Sequence, residues 1–113
     1  MRYMLLHKSN DDLEAGRLPD PDMLARADQV LEDMRQAGVL IVAEGLMPSS
    51  RGARVTFPDG KPRVTDGPFA ETKELVAGVS IIEVESKDEA LRWALRFADA
   101  DPGTEIDIFQ VAG

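Results

Sequence analysis

The sequence has no cysteine and only one histidine, and aromatic residues occupy just 5% of its 113 positions. Without cysteine, disulfide scaffolds, thiolate metal sites and cysteine nucleophiles are excluded, and a single histidine cannot build a zinc site. The sequence also lacks a Gly-rich phosphate-binding loop, a nucleophile elbow and a dinucleotide fingerprint. We therefore expect neither a metal nor a cofactor.

Long apolar runs are missing as well. No stretch reaches the roughly 18 residues that a membrane-spanning helix needs, and residues 1–8 become polar too early for a signal peptide. Positive charge is scarce. The chain has 13 Lys and Arg residues but 21 Asp and Glu residues, which gives a formal net charge of −8. Such a field repels phosphate backbones and anionic lipids. The sequence predicts a cytoplasmic protein that binds neither nucleic acid nor membranes.

What is present is enough for one folded unit. Hydrophobic residues make up 43% of the chain, which is sufficient for a core without a metal or a disulfide. The length predicts a single domain over residues 1–113. Strands are indicated by apolar or alternating runs, and helices by three-and-four spacing with capping residues. In chain order these elements are a strand at 2–7, a helix at 20–37, a strand at 39–46, a hairpin around 58–61, a strand at 75–84, a helix at 86–100 and a strand at 105–111.

With the hairpin set aside, the order is strand, helix, strand, strand, helix, strand. Right-handed crossovers then give an α+β, ferredoxin-like βαββαβ sheet with an inserted hairpin and with both helices on one face. The strands at 39–46 and 75–84 carry apolar residues at both odd and even positions, so both faces of the sheet are apolar. The face without helices must therefore be covered as well. We expect a second copy to supply this cover, in a two-fold homodimer with a cleft beside the sheet.

The densest group of polar residues runs from Thr65 to Glu74, between the hairpin and the next strand. Asp66 can cap the turn there, Phe69 can anchor the loop in the core, and Glu71 and Lys73 would then project from a rigid frame. An ordinary Asx turn with a solvated charge run explains the same residues. A functional role requires one of these charges to enter a cleft.

His7 ends the first strand, near the edge where the ligand clefts of such sheets open. An imidazole there is suited to general acid or base work near neutral pH, oriented by Glu44, Asp66 or Glu71. The alternative is a solvent-facing histidine at a strand end. Glu44 interrupts an apolar strand, so we expect it to be buried and paired with Arg54, Lys73 or a backbone N–H, either structurally or in a site.

The run from Thr65 to Glu74 resembles the signature of the YCII-related, DGPF-domain proteins of bacteria. The resemblance extends over essentially the whole chain, including Arg2–Leu6, Ala37–Leu40, Glu44–Leu46 and Asp88–Leu91. It implies a ferredoxin-like fold that dimerises into an α/β barrel, similar to muconolactone isomerases and antibiotic-biosynthesis monooxygenases. Relatives in the wider superfamily use a His and Asp pair in the cleft. The resemblance to this family also implies a link with extracytoplasmic-function sigma factors.

Two functional hypotheses follow. In the first, the homodimer binds a small organic molecule, with His7 and Asp66 as acid–base residues. The residues expected to bind this ligand are Glu44, Phe69, Glu71, Thr72 and Lys73. In the second, the chain is a regulatory or accessory protein whose partner is a sigma factor, and the loop at 65–74 is a structural brace. A third interpretation limits that loop to stabilising the dimer.

Overall fold

A four-stranded antiparallel sheet forms the centre of the computed structural model, which describes residues 1–71 and 74–113. Thr72 and Lys73, two of the expected ligand-binding residues, lie outside the described residues. The sheet strands are β1 (Arg2–Lys8), β2 (Leu40–Gly45), β5 (Val76–Glu83) and β6 (Ile106–Gln110). Their order across the sheet is β2, β5, β1, β6, so β2 and β6 are its edges and the ferredoxin-like prediction is confirmed.

The helices are a short α1 (Asp11–Glu14), α2 (Pro21–Gln36) and α3 (Lys87–Ala100). The side chain of Asp20 caps α2, whose first residue is a proline, and Gly38 ends the turn after it with a φ of 72°. Those are the residue types that helix termini need, because the first N–H groups lack partners and the left-handed stop favours glycine. The predicted limits of this helix are confirmed.

The run Ser86-Lys87-Asp88-Glu89 predicts a capping box at the start of α3, and the structure differs from it in one detail. The hydroxyl of Ser86 accepts from the backbone N–H of Glu89 at 3.2 Å, as predicted. The carboxylate of Glu89, however, accepts from the N–H of Glu85 at 2.9 Å, one residue before the cap. Both bonds occupy groups at the start of the helix that would otherwise depend on water.

The core lies between the helices and one face of the sheet. β1 contributes Tyr3 and Leu5 to it, β5 contributes Ile82, α2 contributes Met34 and α3 contributes Phe97, all buried.

The three-and-four spacing of α3 predicts an inner stripe of Ala90, Leu91, Ala94, Leu95 and Ala98, widened by Trp93 and Phe97. This is partly wrong, since Leu91 and Leu95 are 38% and 63% exposed, whereas Phe97 is buried. The buried face of α3 is therefore rotated from the one that the leucines indicated.

Nothing in the described part of the chain covers the other face of the sheet. Register places the side chains of Met4 and Leu6 on this uncovered sheet face, with those of Val42, Val79, Ile81 and Phe109. Phe109 is 57% exposed and Val42 is 38% exposed. The smallest dimension of the molecule, 18 Å, corresponds to one sheet and one layer of helices, which pack about 10 Å apart. The prediction that the sheet carries apolar residues on both faces is therefore confirmed.

Glu44 also lies on the uncovered sheet face, opposite Val79, and it is exposed. The expectation that it is buried is wrong. Its strand, β2, is an edge strand with one face bare, so the apolar neighbours in sequence do not enclose it. No described residue forms an ion pair or hydrogen bond with its carboxylate, so pairing with Arg54 or a described backbone N–H is wrong, and pairing with Lys73 lies outside the described residues.

The inserted hairpin consists of β3 (Ala53–Thr56) and β4 (Arg63–Asp66), which pair only with each other. The turn between them contains Asp59 with a φ of 54°, followed by Gly60 with a φ of 77°. An Asp-Gly pair adopts such positive φ values readily, which is why it predicts a hairpin. The hairpin stands outside the main sheet and carries its basic and apolar side chains into solvent.

Candidate functional site

His7 forms part of the wall of a cleft of about 350 Å³ at one end of the sheet. The cleft opens where β1 ends, between α1, the first half of α2 and the last turn of α3. Its lining combines polar and apolar groups: Lys8, Ser9, Asn10, Leu13, Met23, Ala27, Ala77, Gly78, Phe97, Asp101, Gly103, Thr104 and Glu105. The cavity is large enough for a small organic molecule.

The imidazole of His7 is held by packing. Its position in β1 has the same parity as Tyr3 and Leu5, so the ring points toward the helices and meets the ring of Phe97 edge to face, with centroids 4.7 Å apart. The facing residue on β5 is Gly78, which has no side chain to fill the space. Phe97 therefore fixes one side of the ring, and the gap at Gly78 leaves room for a ligand.

Burial lowers the pKa of His7 below its usual 6.5, because the charged imidazolium loses hydration there. The ring is consequently neutral at pH 7 and keeps a nitrogen lone pair that can accept a proton or a hydrogen bond. This chemistry agrees with a general base better than with a general acid.

Lys8 follows His7 and also lines the cleft. Its ammonium group lies 3.1 Å from the carboxylate of Asp107, and its side chain is 14% exposed. The hydrogen bond with Asp107, and the nearby charges of Glu74 and Glu105, raise the pKa of Lys8. Asp107 is paired with Leu6 and so lies on the uncovered sheet face, which places the ammonium group of Lys8 on the opposite face of the sheet from the His7 ring. Sequence reasoning missed this cation, because a lysine at a strand end is ordinarily solvated.

The carboxylates named as partners of His7 are elsewhere. Within the described residues, the cleft is lined by Asp101 and Glu105, and not by Glu44, Asp66 or Glu71. Asp66 ends β4 and Glu71 is exposed, both in the region of the hairpin. The sequence therefore placed the histidine at the cleft but did not identify the acidic residues that share it.

Phe69 is half-buried rather than part of the core, so its predicted anchoring position is wrong. The guanidinium of Arg54 lies over its ring, 4.2 Å from the centroid. The backbone N–H of Phe69 donates to the hydroxyl of Ser49 at 2.9 Å. The ring thus anchors the loop to the base of the hairpin.

Ser49 joins this loop to the cleft. The carboxylate of Glu14 accepts from the backbone N–H of Ser49 at 2.8 Å and from its hydroxyl in a second, shorter bond. Glu14 ends α1, and Leu13 of the same helix lines the cleft. We call this arrangement of Glu14, Ser49 and Phe69 the clasp. No local sequence signal indicates it, because Glu14 and Ser49 are 35 positions apart.

A second cavity of about 510 Å³ shares part of its wall with this cleft and is mainly apolar. Leu13 belongs to the lining of both cavities, as do Ser9 and Ala77. Within the described residues no group of His, Cys, Asp and Glu could hold a metal ion. None of the described helices is both long and apolar enough to cross a membrane.

The chain is similar in sequence to proteins of one family. A family profile described as the YCII-related domain matches residues 1–112. Uncharacterized protein R00369 from Rhizobium meliloti (strain 1021) is 41% identical over 69 residues, which cover 61% of this chain and 56% of that relative. The chain therefore matches little more than half the length of this relative.

A solved structure with a similar outline is 5-chloro-2-hydroxyhydroquinone dehydrochlorinase (TftG) from Burkholderia phenoliruptrix AC1100, in complex with 2,5-dihydroxybenzoquinone. The likeness covers 99% of this chain and 96% of that one, at 17% identity and a TM-score of 0.49. At that TM-score it supports no conclusion about this chain. The description of the family and the names of these two proteins mention no sigma factor, so the regulatory hypothesis gains no support from them.

Proposed function

This chain belongs to the YCII-related domain family, and we propose that its function is to bind a small organic molecule in the His7 cleft and to exchange a proton with it. The observation that carries the proposal is the half-buried, neutral imidazole that forms the wall of a cavity of about 350 Å³. A perturbed titratable group in a cleft is a physical reason to expect function.

The surroundings of His7 indicate the kind of ligand. Leu13, Met23 and Phe97 offer apolar contacts, while Asn10 and Thr104 offer hydrogen-bonding groups from the lining. A ring or short chain that carries a hydroxyl or carbonyl group fits this combination, with its apolar part against Phe97 and its oxygen toward the polar residues.

The proposed chemistry uses the imidazole as a base. A neutral His7 accepts a proton from a ligand hydroxyl or an acidic C–H group, and the hydrogen-bonding groups of Asn10 and Thr104 in the lining support the anion that results. The imidazolium then returns the proton to the product or to water. Phe69 acts in this proposal through the clasp, which supports α1, and Asp66 and Glu71 lie outside the lining of the cleft.

The test uses the single histidine as a reporter. Because the chain has no second imidazole, the ring signals of His7 in a ¹H–¹³C NMR spectrum need no assignment. We would screen a fragment library rich in phenols, enols and small hydroxy ketones, and we expect binders that shift the His7 signals. The proposal is contradicted if the fragments that bind leave those signals unchanged.

A matched pair of variants on α2 completes the test. Ala27 lines the cleft, whereas Ala25 is exposed on the same helix. Ala27→Phe should fill the cleft and weaken fragment binding at least tenfold, and Ala25→Phe should leave binding unchanged. Equal binding by both variants, with unaltered circular dichroism spectra, would place the ligand somewhere other than the cleft.

A further inference from the structure

The second cavity, which the proposed function does not use, is the larger of the two cavities described above, at about 510 Å³. Its wall is mainly apolar and includes Leu18, Leu24, Leu46 and Met47. Leu46 and Met47 are 50% and 67% exposed, so part of this apolar wall meets solvent. Adjacent exposed apolar residues at a concave surface are typical of a ligand site. The second cavity therefore has the size and the lining of a site for a small organic molecule.

Two glycines keep the sheet open beneath this region. Gly45 faces Gly78 across β2 and β5, and Gly78 faces His7 across β5 and β1, so the three positions share the helix side of the sheet. A Cβ on Gly45 would meet nothing within 4 Å. Gly78 lines the His7 cleft and Gly45 lines the second cavity. The apolar part of a ligand in the second cavity therefore has room to lie over the sheet at Gly45.

The charged groups in the wall of the second cavity have one sign. Among the described residues its lining includes Arg17 and Arg51 but no Asp or Glu, although the whole chain has 21 Asp and Glu residues. Arg17 forms an ion pair with the carboxylate of Asp12, which offsets its charge. Arg51 ends the short turn at 49–51, is exposed, and forms no ion pair with any described residue. A guanidinium beside an apolar cavity is suited to a carboxylate, which it can bind through two parallel hydrogen bonds.

Glu14 is an acidic group close to this wall, because it follows Leu13 of the lining in α1. Its negative charge opposes an anion in the cavity. Both of its carboxylate oxygens, however, accept hydrogen bonds from Ser49, one from the backbone N–H at 2.8 Å and one from the hydroxyl. These bonds hold the carboxylate in the clasp and stabilise its charge there. Arg51 is therefore the charged group that the wall offers to a ligand.

We propose that the second cavity is a binding site for an amphipathic carboxylate, a small organic acid with an alkyl or aryl body. The carboxylate pairs with the guanidinium of Arg51. The apolar body lies against Leu46 and Met47 and extends over Gly45, where its removal from water stabilises the complex. A wholly polar anion lacks this second contribution, and an amphipathic cation lacks the first. This inference does not depend on proton exchange at His7.

Isothermal titration calorimetry of the wild-type chain tests the chemistry of the ligand. Decanoate is the probe, because it joins a carboxylate to a flexible apolar chain, and it should bind measurably. Decyltrimethylammonium has the same chain and the opposite charge. It should bind at least tenfold more weakly, even though the net charge of −8 attracts it to the protein. Acetate, which keeps the carboxylate without the chain, should also bind at least tenfold more weakly. Absence of decanoate binding, or binding of either control as tight as that of decanoate, would overturn the proposal.

Substitution of the arginine tests the contact with the carboxylate. Arg51→Gln removes the charge and should weaken decanoate binding at least fivefold. Arg63→Gln is the matched control, because Arg63 is an exposed residue of β4 that lines neither of the two cavities, and it should leave binding unchanged. Both side chains are exposed, so neither change should alter the fold. Equal decanoate affinities for the two variants would refute the role of Arg51.

Substitution of small residues tests which cavity holds the apolar chain. Gly45→Leu adds a side chain on the helix side of β2 and should weaken decanoate binding at least tenfold, whereas Ala25→Leu, at an exposed position of α2, should not. Ala27→Phe fills the His7 cleft and should leave decanoate affinity within a few-fold of the wild type. If Ala27→Phe abolishes binding and Gly45→Leu leaves it unchanged, decanoate occupies the His7 cleft and the proposed second site is wrong, while the proposed function of that cleft is unaffected.

Discussion

At the scale of single residues, His7 connects packing with chemistry. Its ring is half-buried against Phe97, and that burial lowers its pKa from 6.5. The unfolded chain therefore binds a proton more readily than the folded chain does. As the pH falls below 6.5 toward the folded-state pKa, the contribution of His7 to stability is lost, and above 6.5 it is fully present.

Two measurements check this prediction. NMR titration of the single imidazole should give a pKa below 6.5 in the folded protein, and Phe97→Ala should move it back toward 6.5 by admitting water. The stability difference between wild type and His7→Gln, measured by urea unfolding, should grow in favour of the wild type as the pH rises through the window below 6.5. A folded-state pKa above 6.5 would contradict the burial argument and weaken the role of base.

At the scale of elements, the clasp fixes α1 and the loop at 65–71 relative to each other. Gly67 is essential to it, because a Cβ at that position would lie 1.8 Å from the backbone carbonyl oxygen of Ser49. Gly67→Ala should lower the free energy of unfolding by at least about 2 kcal/mol, since backbone atoms must move apart. Gly45→Ala is the control, because a Cβ on Gly45 would meet nothing within 4 Å. Urea unfolding that shows equal stability for both variants would refute this role of Gly67.

The hydroxyl of Ser49 is the second part of the clasp. Ser49→Ala removes the bond donated to Glu14 and the bond accepted from Phe69. Because the carboxylate and the amide are partly buried, the loss should be about 1–3 kcal/mol. Ser49→Thr keeps the hydroxyl and should lose less. Thermal denaturation provides the comparison, and a Ser49→Ala variant as stable as the wild type would show that water replaces both bonds.

The elements themselves were largely predictable from sequence, because their signals are local. Asp20 and Pro21 mark the start of α2, and Asp59 with Gly60 marks the hairpin turn. The long-range contacts were not predictable. Nothing in the vicinity of Glu14 indicates Ser49, and the apolar run around Glu44 does not reveal that β2 is an edge strand. The candidate site was therefore predicted less completely than the fold. His7 was placed at a cleft, but its acidic neighbours were not identified.

At the scale of the whole molecule, the uncovered sheet face determines how the chain is expected to assemble. A sheet with helices on one side normally exposes polar residues on the other, but here the central positions of that face are Met4, Leu6, Val79 and Ile81. Such a surface is typical of an interface rather than of a solvated exterior. The protein is therefore expected to form a homodimer, in which the clefts of the two copies lie beside a shared double layer of sheets.

Phe109 provides the means to test this assembly without disturbing the core. It is 57% exposed on β6, at the margin of the uncovered face. Phe109→Arg should leave the fold intact but place a cation in the interface without a partner, which weakens the dimer at least about tenfold, or about 1.4 kcal/mol. Leu95→Arg, on the helical side, should not. Light scattering at micromolar concentrations should give twice the chain mass for the wild type and for Leu95→Arg, and a lower mass for Phe109→Arg.

The melting temperature of the wild type should also rise with protein concentration, because association stabilises only the folded chain. A melting temperature independent of concentration, together with a single-chain mass, would show that this apolar face is stable in water.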